Sequence, residues 1–294
     1  MDVTAELPAI LKPVWRGLDG SSSEERRCDA LGRVTMHRRM ATDGGAYWMC
    51  GESGQLQREV FPDSEASTER YDNWWRGHEL DGAALDRMVA KNRAHLSSLV
   101  GDCGGKRLYE VGAGLGYRML AARDLGFEVR GNELSRFAVE RAAERFGLAM
   151  DLGLIENVAL EADAYDVILL DNVFEHLEQP AAVLGALSAS LRAGGSIYVH
   201  TINGESLCLK RTTSRWPYFN QAHLYVPTLV SMRAYCEAAG LEIASLRTHG
   251  YRSSVAGHRG KGSRWERLGD KVMAAVAGRL GLGHRMDLVL RKPG

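Results

Sequence analysis

From Arg107 onward the chain alternates short apolar runs with amphipathic stretches. Arg107–Val111 and Phe127–Asn132 read as strands, each followed by a helical pattern, over Leu115–Leu125 and over 135–146, where Ser135 is placed as the N-cap. A third, short strand is expected near Ala149–Leu154. Tyr165–Leu170 (YDVILL) is almost uninterruptedly apolar, as a strand buried on both faces must be. Pro180–Leu191 reads as the next helix, stopped by Gly194-Gly195, and Ser196–Thr201 as the fifth strand. A helix over Thr228–Ala239 leads to strands at Leu241–Leu246 and Met286–Arg291. This order predicts a doubly wound α/β fold, with seven mostly parallel strands covered by helices on both faces.

The first hundred residues follow a different pattern. Residues 1–60 are rich in turns, with Gly20-Ser21-Ser22-Ser23 and Asp43-Gly44-Gly45 separating short apolar runs such as Ala46-Tyr47-Trp48-Met49, so small strands and loops are expected. From Asp63 to Val100 the spacing becomes helical, with Leu85, Met88, Val89, Leu96 and Leu99 on one face behind the aromatic Tyr71-Asp72-Asn73-Trp74-Trp75. The expected division is a small N-terminal region (1–60), a helical lid (61–103) and a large α/β domain (104–294), with Gly101-Asp102-Cys103-Gly104-Gly105 at the last boundary.

Composition narrows the class of protein. A chain of 294 residues, 45% hydrophobic and 25% charged, is an ordinary globular protein. With 37 basic and 37 acidic side chains it has no overall field to attract nucleic acid or a membrane. The exception is the C-terminal stretch from Tyr251, which holds ten Lys or Arg against three Asp or Glu. Within it, Trp265, Leu268, Val272, Val276 and Leu280 recur at helical spacing. They are expected to pack as an insertion on the sheet before the last strand, rather than to lie on a membrane. Five cysteines without a CxxC pair indicate no disulfide framework. With no secretory leader or spanning segment in evidence, a cytoplasmic location is expected and no stable membrane association; a homodimer is left open.

The candidate chemistry centres on Glu110-Val111-Gly112-Ala113-Gly114-Leu115-Gly116-Tyr117, where a strand ends and a helix begins. Glycines at alternate positions permit a tight turn and bring free backbone N–H groups up to a ligand. Glu133, at the end of the second strand, is placed to accept hydrogen bonds from ribose hydroxyls. A dinucleotide would require a small residue where Tyr117 stands, so the loop suits a nucleoside carrying an amino-acid-like group better than a pyrophosphate.

At these residues the sequence resembles the class I S-adenosylmethionine-dependent methyltransferases, within the small-molecule group that includes ubiquinone-biosynthesis and sugar-modifying enzymes. The resemblance covers about residues 45–294. It rests on EVGAGLGY (110–117), GNELS (131–135), YDVILLDNVFEHLEQP (165–180), LRAGGSIYV (191–199) and AHLYVPTLVSMRAYCEAAGLEI (222–243). It implies a Rossmann-like sheet and S-adenosyl-L-methionine as cofactor. The methionine end would be held by Glu110 with Gly112, Ala113, Gly114 and Gly116, the ribose by Glu133 beside Leu134. Ile155 and Glu156 would flank adenine, Asp171 and Asn172 would line the floor near the sulfonium, and Tyr71 would close over the cofactor. The implied partner is a small-molecule methyl acceptor, with O-methylation the first choice and C- or N-methylation still open. No nucleic-acid partner is expected, because Asp171-Asn172-Val173-Phe174 is not a flipped-base motif.

A hydroxyl acceptor needs a base, and His176 and His223 both follow sheet strands on the ligand side. Each has a plainer alternative, hydrogen bonding within its own loop. Arg211, Arg215 and Trp216 can read an anionic or sugar acceptor or simply form a loop. Relatives often carry an N-terminal zinc knuckle with two CxxC pairs. Here Leu31 and Ser53 stand where the partners of Cys28 and Cys50 would be, and although His37 lies between the two cysteines, no metal is expected. The stretch between the third and fourth strands is short, so the usual helix there is expected to be reduced.

Overall fold

The computed structural model describes residues 22–42, 44–100, 104–212, 215–251 and 264–294. The expected punctuation at Gly20-Ser21 and Asp43, the boundary residues 101–103, the basic stretch 252–263 and the side chains of Trp265 and Leu268 lie outside the described residues.

Strands β1 (Ser23–Cys28), β2 (Arg33–Thr42), β3 (Gly45–Cys50) and β4 (Leu56–Arg58) form an antiparallel meander. Helices α1 (Ser64–Arg76) and α2 (Gly82–Val100) follow, and then the alternating series of strands and helices. This runs β5 (Arg107–Val111), α3 (Tyr117–Asp124), β6 (Glu128–Glu133), α4 (Arg136–Phe146), β7 (Met150–Leu152), β8 (Tyr165–Asp171), α5 (Pro180–Ser190), β9 (Leu191–Ile202), α6 (Leu207–Thr212), β10 (Tyr225–Val226), α7 (Leu229–Ala238), β11 (Glu242–His249), α8 (Arg264–Arg279) and β12 (Arg285–Arg291).

The main sheet has seven strands in the order β11-β12-β9-β8-β5-β6-β7. From β9 to β7 neighbours run parallel, and β12 is inserted antiparallel between β9 and β11. The order reverses beside β5, so the carboxyl ends of β5, β6 and β8 open a crevice where ligands bind in such sheets. The mostly parallel seven-stranded sheet is the fold that the alternating pattern predicts. Strand β8, buried from Val167 to Leu170, is the central strand that YDVILL implied.

Local chemistry sets the helix boundaries. Ser135 caps α4, its hydroxyl accepting the N–H of Ala138, and Gly147 ends that helix in the left-handed conformation. Thr228 and Ser231 form a reciprocal capping box at the start of α7. The expectation that Gly194-Gly195 stops α5 is corrected. The helix ends at Ser190 and the chain enters β9 directly at Leu191, with the two glycines inside the strand. Tyr165 pairs with Leu191 but Val167 with Ser196, so the intervening residues bulge, and Gly194 takes a φ of 76°. Between β7 and β8 only a single 3₁₀ turn, Ile155–Asn157, replaces a helix.

The small sheet is not built from the N-terminal residues alone. Strand β10 pairs antiparallel with β4, completing a sheet in the order β1-β2-β3-β4-β10. Its core contains Tyr47, Leu56, Trp216 and Phe219, so Trp216 is a core residue and not an acceptor contact. Helix α8 lies between β11 and β12 in sequence and packs on β11 through buried Ala277, while Val272, Val276 and Leu280 face outward. Among the described residues no helix is long and apolar enough to cross a membrane.

Candidate active site

A cavity of about 750 Å³ opens at the carboxyl ends of β5, β6 and β8, roofed by α1 and α2. The β5–α3 loop forms its floor. Gly112, Gly114 and Gly116 all take left-handed φ values (62°, 56° and 75°), which side chains resist. Space is as restrictive as conformation. A Cβ on Gly112 would stand 2.7 Å from Val173, and one on Gly114 would stand 2.5 Å from the Trp75 ring. Glu133 is fixed against this loop: one carboxylate oxygen accepts the N–H of Gly114 at 2.8 Å, the other that of Ser135 at 3.0 Å. Burial raises the Glu133 carboxyl from its ordinary value, and these backbone donors pull against that rise.

Glu110 lies beneath the loop. Its carboxyl is buried and pushed up to about 8 by desolvation, against the pull of Arg118, whose Nη1 lies 3.8 Å from it. Arg118 also pairs with Asp171. Asn172, next to Asp171, holds a positive φ of 56°. Its backbone N–H reaches the His200 carbonyl at 2.8 Å, and its side-chain oxygen accepts from Arg285. Asn tolerates this conformation better than most residues, which accounts for its place at the turn out of β8.

The cavity wall takes in Tyr71, Glu110, Gly112, Ala113, Glu133 and Leu134, together with Ile155, Glu156, Asp171, Asn172, His176 and His223. Two residues expected at the ligand fall outside it. Gly114 lies beneath Trp75, and Gly116 starts α3 where a Cβ would meet Leu148 and Met150. Their freedom shapes the loop and the helix packing instead of forming the wall. Glu156 has a second task, because its Oε1 accepts the N–H of Glu178 at 2.8 Å and so ties the turn after β7 to the loop after β8.

In the same cavity wall, His176 and His223 lie with ring centroids 4.9 Å apart, and Tyr71 meets His176 edge-on at 6.2 Å. His176 Nδ1 lies 2.7 Å from the Ala222 carbonyl, and His223 Nδ1 bonds the Tyr218 carbonyl. A carbonyl only accepts, so both Nδ1 atoms carry the proton and both Nε2 atoms keep a lone pair. The loop hydrogen bonds that competed with a catalytic role therefore exist, and they leave the second nitrogen of each ring available. Burial, with His176 close by, lowers His223 to about 4 and keeps it neutral. Tyr71 is pushed up to about 12, chiefly by burial and then by the Glu133 charge.

Several residues of the site escaped the sequence reading. Tyr117, weighed there only against a dinucleotide, accepts the N–H of Leu80 at 2.7 Å and ties the segment between α1 and α2 to α3. Asp72 reaches Ser135 and the Phe137 N–H at the start of α4, an anchorage that an Asp before two tryptophans does not advertise. Arg70 lines the cavity, and its Nη1 is buried without a hydrogen-bond partner. Arg215 is exposed, and Arg211 bonds the Tyr251 hydroxyl at 3.3 Å; neither lines the cavity.

A family model described as a methyltransferase domain matches residues 82–246. The ubiquinone biosynthesis O-methyltransferase of Burkholderia ambifaria is 30% identical over 132 residues, 43% of this chain and 53% of that protein. That of Paraburkholderia xenovorans is 31% identical over the same extent. The chain thus spans about half the length of the curated relatives it matches. Among solved structures, a Haloferax volcanii methyltransferase in complex with the Trm112 activator superposes with a TM-score of 0.58 at 16% identity, covering 77% of this chain and 97% of its own. The [4+2]-cyclase SpnF superposes with a TM-score of 0.54 at 21% identity, covering 80% and 97%. These two likenesses bear on the fold alone. The family model covers more than half of the chain, the matched span includes the glycine loop and Glu133, and the chain accordingly belongs to the class I S-adenosylmethionine-dependent methyltransferases.

Proposed function

We propose that the protein transfers the methyl group of S-adenosylmethionine to a hydroxyl of a small metabolite or sugar. One observation carries this reading: a single cavity is lined both by the Gly112 loop with Glu133 and by the paired His176 and His223. The matching relatives are O-methyltransferases of ubiquinone biosynthesis, which supports oxygen as the acceptor atom.

The polar groups left over in the cavity suit the cofactor. Glu110 Oε2 and Asn132 Oδ1 are buried acceptors without partners, and Arg70 Nη1 is a buried donor without one. An α-ammonium group supplies donors for the first two and an α-carboxylate supplies acceptors for the third. A cation beside Glu110 also favours its ionised form, offsetting the burial that holds it protonated. Glu133, oriented by two backbone N–H groups, keeps lone pairs for ribose hydroxyls. The bound sulfonium supplies an electrophilic methyl group.

The protein's own residues then position the acceptor and handle its proton. His176 Nε2 takes the hydroxyl proton as the oxygen attacks in line, and its Nδ1–H bond to Ala222 holds the ring for that purpose. His223, held neutral, accepts a second hydrogen bond from the acceptor and fixes its orientation. Tyr71 and Trp75, on α1, exclude water above the reacting atoms.

Calorimetric titration with S-adenosylmethionine, S-adenosylhomocysteine and NADH, on the wild type and on Glu133→Ala, tests the cofactor. Micromolar binding of the first two, lost in the variant and absent for NADH, is expected; binding of NADH alone overturns the proposal. Methyl transfer to a panel of catechols, phenols and sugars then tests the acceptor, and activity confined to amines or carbon acids overturns the hydroxyl assignment.

A further inference from the structure

The core that α2 and α3 form over the main sheet spans β5 and β8 and takes in Tyr198 on β9. Two residues further along the same face of β9 stands His200, half-buried, while Val199 and Thr201 are buried on the other face. Strand register then gathers a trio around it. Asp287 on β12 is the direct cross-strand partner of His200 on β9 and of Arg247 on β11, which sets His249, two residues after Arg247, on that face too. His200 Nδ1 lies 2.5 Å and His249 Nε2 lies 3.2 Å from Asp287 Oδ1, and the two rings stack with centroids 5.5 Å apart. One ligand atom from each residue lies within 4.8 Å of the other two. None of the three lines the cavity.

We propose that His200, His249 and Asp287 bind a divalent transition-metal ion, with water completing its coordination.

Two imidazole nitrogens and a carboxylate oxygen on one side of such an ion, with water on the other, make an open site that needs no fourth side chain. The side chains of His200, His249 and Asp287 are 29%, 41% and 36% exposed, so water reaches the ion and its excess charge is not buried. Bonds of about 2.0–2.2 Å place neighbouring ligand atoms about 3 Å apart, close to the nitrogen–oxygen spacings already present. Rotation of the two half-exposed rings closes the gap between the nitrogens. Arg247, itself 77% exposed, bonds the other carboxylate oxygen at 3.1 Å, which orients the carboxylate and leaves Oδ1 to the ion.

A carboxylate only accepts, so as the side chains lie both nitrogens that face Asp287 carry hydrogen. The ion takes the place of these two hydrogens, each of which passes to the far nitrogen of its ring or to solvent. Nitrogen donors select nickel, cobalt or zinc over calcium and magnesium, which take oxygen shells. The spacing of these residues along the chain gives no hint of the set, because the last strand of the chain enters the sheet between β11 and β9 and so brings Asp287 between the two histidines.

The test is calorimetric titration of tag-free, reduced protein with nickel(II). About one ion per chain is expected at roughly micromolar affinity, with binding at least about tenfold weaker in His249→Gln and in Asp287→Asn. Cys50→Ser and His176→Gln disable the two other groups of possible ligands among the described residues, Cys28–His37–Cys50 and Glu175–His176–His223, and are expected to bind nickel as the wild type does. Thermal unfolding reports that each variant is folded. Cobalt(II) loading of the wild type needs no variant and is expected to give the weak visible absorption of a water-rich, high-coordinate ion, without a thiolate charge-transfer band. Absence of saturable nickel binding, unchanged affinity in His249→Gln or Asp287→Asn, loss of binding in Cys50→Ser or His176→Gln, or a thiolate band with cobalt overturns the proposal.

Discussion

The Tyr117 hydroxyl accepts the backbone N–H of Leu80 at 2.7 Å, joining the segment between α1 and α2 to the helix that begins at the glycine loop. Tyr117→Phe removes this acceptor and little else. The expected cost is about 1–2 kcal/mol of lid closure, read as a 5- to 30-fold weaker S-adenosylmethionine affinity by calorimetry. Unchanged affinity means that the lid is held elsewhere.

Gly114→Ala places a methyl group 2.5 Å from the Trp75 ring at a residue with φ of 56°. Cofactor affinity is expected to fall at least tenfold. Combining it with Trp75→Ala should return part of the loss, since the steric component vanishes and the backbone component does not. Strict additivity in that double-mutant cycle rules out the contact as the cause.

His176→Gln keeps a hydrogen-bonding side chain but removes the base. Under the proposed mechanism kcat falls about 100- to 10,000-fold while S-adenosylmethionine affinity stays within about twofold, with single-turnover rates as the readout. A change in affinity without a change in rate assigns His176 to binding.

The neutral His223 gives stability a pH dependence of defined sign. Its folded-state value, about 4, lies below the ordinary value of 6.5, so between those limits the unfolded chain binds more protons. This contribution is present above 6.5 and is lost as the pH falls toward 4, on the order of 3 kcal/mol over the full window. Urea unfolding of wild type and His223→Gln between pH 7.5 and 4.5 should show the variant losing less stability on acidification. Parallel curves contradict the assignment.

What the sequence disclosed depended on whether the information was local. YDVILL declared a central strand, Ser135 a helix start and the spaced glycines a tight loop between strand and helix, because each rests on neighbours within one turn or one strand. Glu133 was legible through its distance from Gly112 at the end of the adjacent strand. Residues whose role depends on a distant partner were not. Trp75 over Gly114, Asp72 at the start of α4 and Arg70 at the cavity wall join parts of the chain that no periodicity relates. Gly194-Gly195 misled for the opposite reason: a local stop signal was overridden by strand pairing, which absorbs the two glycines as a bulge.

The pairing of β10 with β4 joins Val226 to Leu56, about 170 positions earlier in the chain. Contacts of such sequence separation are slow to form, because a long loop must close before they contribute anything. The parallel strands around β5 are joined by much shorter crossovers, so the cofactor end of the crevice assembles ahead of the strand that follows His223. During refolding the protein should therefore regain nucleoside binding before turnover. The lag between them measures the time that β4 needs to find its partner β10.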